Sequence, residues 1–109
     1  MVESRIQKRT KRRLFCALVS EDERHEGILM NLTSEGLFVL TQAEIPPGTQ
    51  LQLEVPGAQE VPEMTLRAIV VRQRLIPDES SQLMVKGLGL QILQAPDAYY
   101  ELVEPKKRS

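Results

Sequence analysis

The chain has one cysteine, one histidine and no tryptophan, and two phenylalanines and two tyrosines are its whole aromatic complement. A lone Cys16 excludes an internal disulfide and fits a reducing cytoplasm. One histidine and one cysteine do not supply the three or four clustered ligands that a metal site needs. Nucleophilic catalysis is equally short of parts. His25 stands among Glu23, Arg24 and Glu26 and reads as a solvated turn residue, while Cys16 sits in an apolar segment and reads as a small buried hydrophobe. Gly87-Leu88-Gly89 lacks the third glycine and the following helix of a dinucleotide loop, so it reads as strand glycines that permit close backbone approach or a bulge. No apolar run reaches the length of a membrane-spanning helix, and nothing here points to membrane insertion. The basic N-terminus has no apolar stretch behind it and does not read as a secretory signal. An enzyme is not expected.

What is present begins with size and charge. The 109 residues make one domain, with 41% hydrophobic and 27% charged residues, as in an ordinary folded protein. Net charge is −1, unevenly spread. Residues 1–15 hold Arg5, Lys8, Arg9, Lys11, Arg12 and Arg13 against Glu3 alone, a local balance of +5, and the rest of the chain carries −6. An end so unlike the body marks a tail with an anionic partner, unless it is simply a solvated terminus.

Beyond that arm the pattern is one of short strands. Leu14 to Ser20 is apolar, and Glu21-Asp22-Glu23 suits a turn. Glu26 to Asn31 carries Ile28 and Met30 in alternation, Thr33 to Gly36 breaks the run, and Leu37 to Thr41 is β-favouring. Pro46-Pro47-Gly48 is a turn signal. Leu51, Leu53 and Val55 then alternate with polar residues at the period of a half-buried strand. Met64 to Leu75 sets Leu66, Ala68 and Val70 on one face, Pro77 to Gln82 reads as a hairpin loop, and Met84 to Leu93 alternates through Leu88, Leu90 and Ile92. Six candidates at short spacing fit an antiparallel barrel or sandwich. Pro96-Asp97 opens a short C-terminal helix, with Ala98 and Leu102 one turn apart. The chain divides into an arm (1–13), a body with its helix (14–105) and a basic tail (106–109).

Two constellations carry chemistry. Arg9-Thr10-Lys11-Arg12-Arg13 is an Arg-x-x-x-Arg at the junction of arm and first strand, and a guanidinium fork donates paired hydrogen bonds to phosphate or to the O6/N7 edge of guanine. Asn31-Leu32-Thr33-Ser34-Glu35-Gly36 supplies short braced donors and acceptors, with Gly36 allowing a positive φ or a close approach by ligand. Either alone is weak: the first arises by chance in basic tails, and the second is an ordinary turn.

In this order the two resemble the motifs of the PilZ family, Arg-x-x-x-Arg followed downstream by Asp/Asn-x-Ser-x-x-Gly. Pro46-Pro47-Gly48-Thr49, Ala68-Ile69-Val70-Val71-Arg72 and Gly87-Leu88-Gly89-Leu90-Gln91-Ile92 resemble its later signposts. The resemblance implies an all-β fold, a six-stranded antiparallel β-barrel with a flexible basic arm and a helix after the last strand. It also implies cyclic di-GMP as ligand, held on the outside of the barrel. Arg9 and Arg13 would grip guanine edges and phosphates, and Asn31, Thr33 and Gly36 would hold the other guanine and its phosphate. Arg12 and Lys8 would add electrostatic pull, and Arg72 would stack on a base. The protein would be a non-catalytic receptor whose arm orders on binding and signals to an unidentified effector protein in motility, exopolysaccharide or attachment control.

Two departures stand out: Thr33 replaces the usual serine, and Glu35 puts a carboxylate near an anionic ligand, at a cost of about 1 kcal/mol or less if exposed. They favour the alternative of a PilZ-like interaction module that binds no nucleotide. A third reading, nucleic-acid binding through the arm, is opposed by scarce aromatics and an acidic body.

Overall fold

The computed structural model describes residues 13–57, 61–77 and 84–103. Six strands follow one another: β1 (Leu14–Ser20), β2 (Glu23–Met30), β3 (Gly36–Leu40), β4 (Gln50–Val55), β5 (Met64–Pro77) and β6 (Met84–Gln94). A helix, α1 (Asp97–Val103), comes last. Every pairing is antiparallel, and the sheet closes on itself in the order β1-β2-β3-β6-β5-β4.

Alternation explains most of this. In β4, Leu51, Leu53 and Val55 are buried while Gln50 and Gln52 face out. In β5, Leu66, Ala68 and Val70 turn inward. With Leu18, Leu29, Val39 and Leu88 they form one core, each leucine or valine contributing about 1.5–3 kcal/mol of burial. In strand β2 the alternating apolar pair turns outward. Ile28 and Met30 are half-exposed on the outer wall, and Gly27 and Leu29 point inward, because the end of β2 is apolar on both sides. On the outer wall Phe15 stands opposite Ile28 and Ile28 opposite Leu40, and Phe15 is 76% exposed.

The connections follow their residues. Pro46-Pro47-Gly48-Thr49 makes a turn with φ +94 at Gly48 and a 3.3 Å bond from Thr49 N to Pro46 O, the arrangement a proline–glycine pair favours. The β1–β2 turn is tighter than expected, Glu21-Asp22 alone, and Glu23 already belongs to β2. His25 is therefore a strand residue rather than a turn residue, half-buried with Nε2 3.1 Å from Glu23 Oε1. Thr41, the buried polar side chain among the described residues, is satisfied: its hydroxyl donates to Glu26 O at 2.8 Å and accepts from Ala43 N.

The glycines of β6 do what their small size permits. The Phe38 ring lies where a Cβ on Gly87 would stand, and the stem of Arg72 lies along Gly89. The register between β5 and β6 slips between Val70 and Arg72, so a bulge faces these glycines.

Helix α1 buries Tyr99 and Val103, one turn apart, in the common core. The pair expected on that face, Ala98 and Leu102, is half-buried beside it. No helix among the described residues is long and apolar enough to cross a membrane.

Candidate functional site

The β2–β3 connection is densely bonded. Asn31 leaves β2 with φ +50, a left-handed conformation that asparagine tolerates better than most residues. Leu32 drops into the core with no exposed surface. Thr33 then organises the rest. Its hydroxyl donates to Gly36 O at 3.0 Å and accepts from Glu35 N at 3.2 Å and Gly36 N at 3.1 Å, while its own N–H donates to Gly36 O at 2.9 Å. The hydroxyl proton is thus committed to the turn, and what faces outward is the backbone that Thr33 has shaped.

Gly36 does not take up the positive φ open to it, and the fold itself requires a glycine there. A Cβ at this position would stand 2.7 Å from the carbonyl oxygen of Leu90 on β6. The glycine lets β3 lie close against its neighbour. The Ile92 amide donates to Glu35 O at 2.9 Å from the same strand. From the other side the Tyr99 hydroxyl donates to Thr33 O at 2.6 Å. Burial pushes the Tyr99 hydroxyl well above the usual phenol range, like-charge repulsion from the Tyr100 hydroxyl adding to the effect and the bond to Thr33 opposing it, so it stays a protonated donor.

Arg13 is the first residue described, exposed and one position before β1. Because Leu14 pairs with Leu29, it enters the sheet at the end from which Asn31 departs. Topology therefore brings Arg13, Asn31, Thr33 and Gly36 to one end of the barrel. Arg72 belongs to the same wall but not to the turn. Met30, Phe38, Gly89 and Arg72 stand in one cross-strand row, which puts Arg72 roughly 15 Å from Met30 at the usual strand spacing. Arg9, Arg12 and Lys8, the remaining sequence candidates, lie outside the described residues. Glu35 is exposed, so its carboxylate meets solvent.

Two residues here escaped the sequence reading. Tyr99 carried no motif; its signal was a tyrosine in a chain with few aromatics, whose buried hydroxyl must find an acceptor. Phe15 follows Arg13 by two positions and presents a bare ring on the outer wall.

A groove of about 600 Å³ lies elsewhere, on the wall of β1, β2, β4 and β5. Glu26, Glu54 and Glu63 line it against Arg24, which is paired to Glu54 at 2.9 Å. Its surplus of carboxylates makes it a poor seat for a phosphodiester. Cys16 at its floor is buried, and desolvation lifts its thiol to about 12, which leaves it neutral and unreactive. Among the described residues no three His, Cys, Asp or Glu side chains gather as a metal site would require.

Comparison with known proteins follows the same lines. The family model described as PilZ domain matches residues 3–104. The fold resembles that of the Bacillus subtilis inhibitor of motility MotI/DgrA (TM-score 0.69, 18% identity), covering 94% of this chain and 49% of that one. It also resembles the PilZ domain of Escherichia coli YcgR, solved with c-di-GMP (TM-score 0.66, 17% identity, covering 92% and 86%). The K. pneumonia MrkH–c-di-GMP complex is similar as well (TM-score 0.67, 13% identity, covering 94% and 50%). The chain thus spans about half the length of MotI/DgrA and of MrkH. No curated protein matches the sequence.

Proposed function

The chain belongs to the PilZ domain family, and from that premise we propose that it is a non-catalytic receptor for cyclic di-GMP. The observation that carries the reading is the meeting of Arg13 with the rigid Asn31–Gly36 turn at one end of the barrel. A cyclic dinucleotide offers two guanine edges, two phosphates and two flat bases. Arg9 and Arg13 fork onto guanine edges and phosphates, while Arg12 and Lys8 add charge. Asn31, and the backbone of the turn shaped by Thr33 and Gly36, hold the second guanine and its phosphate. Phe15 gives a base an apolar ring to lie on, and Arg72 reaches the ligand from across the wall.

Ordering the arm over the ligand costs conformational entropy, which these contacts offset, and the ordered arm presents a new surface to an effector protein. Two of the similar structures are complexes with c-di-GMP, and one is named for inhibiting motility. Control of motility or surface attachment from the cytoplasm is the output that fits this company. The second reading, an interaction module that binds no nucleotide, draws on the committed Thr33 hydroxyl and on Glu35.

Isothermal titration with cyclic di-GMP, beside the Arg9→Ala/Arg13→Ala double variant, separates them. Saturable heat from the wild type, lost in the variant and absent with a cyclic di-adenosine analogue, is the expected result. Silence from the wild type favours the interaction module.

A further inference from the structure

The Thr33–Ser34 peptide is held from one side and open on the other. Its carbonyl points at the Tyr99 hydroxyl, 2.6 Å away, and the Tyr99 side chain is fully buried. The described structure has no cis peptide bonds, and in a trans peptide the carbonyl and the following N–H point in opposite directions. The Ser34 N–H is therefore turned away from the buried ring, and among the described residues it has no hydrogen-bond acceptor. A carbonyl that accepts a strong bond also polarises its own peptide, which makes the N–H a better donor.

Everything else in the turn fixes other peptides: Thr33 ties Glu35 N and Gly36 N, and Ile92 ties Glu35 O. Only Tyr99 sets the plane of this one. We propose that Tyr99 is a positioning residue of the ligand site, which aims and polarises the Ser34 N–H as a donor to a phosphate oxygen. This rests on reading the Asn31–Gly36 turn as the site for cyclic di-GMP. It also ties α1 to the ligand, because a phosphate on Ser34 N–H strengthens the bond from Tyr99.

The test compares Tyr99→Phe, which removes one oxygen and keeps the ring, with Leu53→Val, which trims the core in β4 away from the turn. Two measurements are made on each: the Ser34 amide resonance without ligand, and titration with cyclic di-GMP. The expected result is a displaced Ser34 resonance in Tyr99→Phe and an affinity loss of about fivefold to tenfold. Leu53→Val should leave both close to wild type despite its lower stability. Unchanged affinity in Tyr99→Phe, an unmoved Ser34 resonance, or an equal loss in Leu53→Val overturns the proposal while leaving the receptor reading intact. A wild-type protein that takes up no cyclic di-GMP removes the receptor reading, and this role with it.

Discussion

Among the described residues two connections of the barrel contain a residue other than glycine with a positive φ, and they are built in opposite ways. Glu21, with φ +51, sits in a two-residue hairpin between β1 and β2, exposed to water. None of the side-chain hydrogen bonds among the described residues reaches it. Asn31, with φ +50, opens a turn that Thr33 braces internally and that Ile92 and Tyr99 grip from two further elements. The first case answers to geometry: a two-residue hairpin needs a positive φ, and glutamate accepts it at a cost of about 1 kcal/mol. The second is over-determined, far beyond what joining β2 to β3 requires. Conformational strain that its surroundings hold in place is the kind that accompanies a binding function.

The contrast can be attacked at its strongest point first. Gly36→Ala should cost about 3 kcal/mol, because the new methyl meets the backbone of Leu90 and not a side chain that can swing aside. A thermal melt should fall by roughly 15 °C, and a fall of only a degree or two would show that β3 has slack at this point. Thr33→Ala comes next. Losing a hydroxyl that makes three hydrogen bonds should cost about 1–2 kcal/mol in urea unfolding, whereas Thr33→Ser should restore nearly all of it. If serine fails to restore it, the methyl of Thr33 and not its oxygen holds the turn. The smallest effect is the most diagnostic. Glu21→Gly should gain about 0.5–1 kcal/mol by relieving an unsupported left-handed residue, and it should leave nucleotide affinity alone. A change in affinity would mean that the two ends of β1 communicate.

Most of the strand layout was legible in the sequence, since alternation survives wherever one face is wet. Leu51, Leu53 and Val55 place β4 without help, and β1 ends where the acidic run begins. The face is not legible in β2, where Ile28 and Met30 are as apolar as Leu29 turned inward, so period two has two solutions there. Position in the motif singles out Asn31, Thr33 and Gly36 as candidates but does not show how the fold uses them. The need for glycine at 36 comes from Leu90, more than fifty positions along the chain. Tyr99 was invisible for the same reason: its bond to Thr33 spans 66 residues and follows from closure of the barrel, which no local pattern encodes. His25 was placed in a turn because its charged neighbours look like one, yet pairing with β1 draws those same residues into a strand.

The glycines of β6 have a further consequence, for the relief of the outer wall. Gly87 and Gly89 leave a shallow trough, and a ring from β3 and a guanidinium stem from β5 lie down in it. At these two positions β6 contributes no side chain of its own, and the surface there is lent by Phe38 of β3 and Arg72 of β5. Over Gly87 and Gly89 the floor of the wall is therefore the Phe38 ring and the Arg72 stem. A methyl at Gly87 would lift the Phe38 ring and raise a step in that floor, altering the wall without touching any residue of the turn.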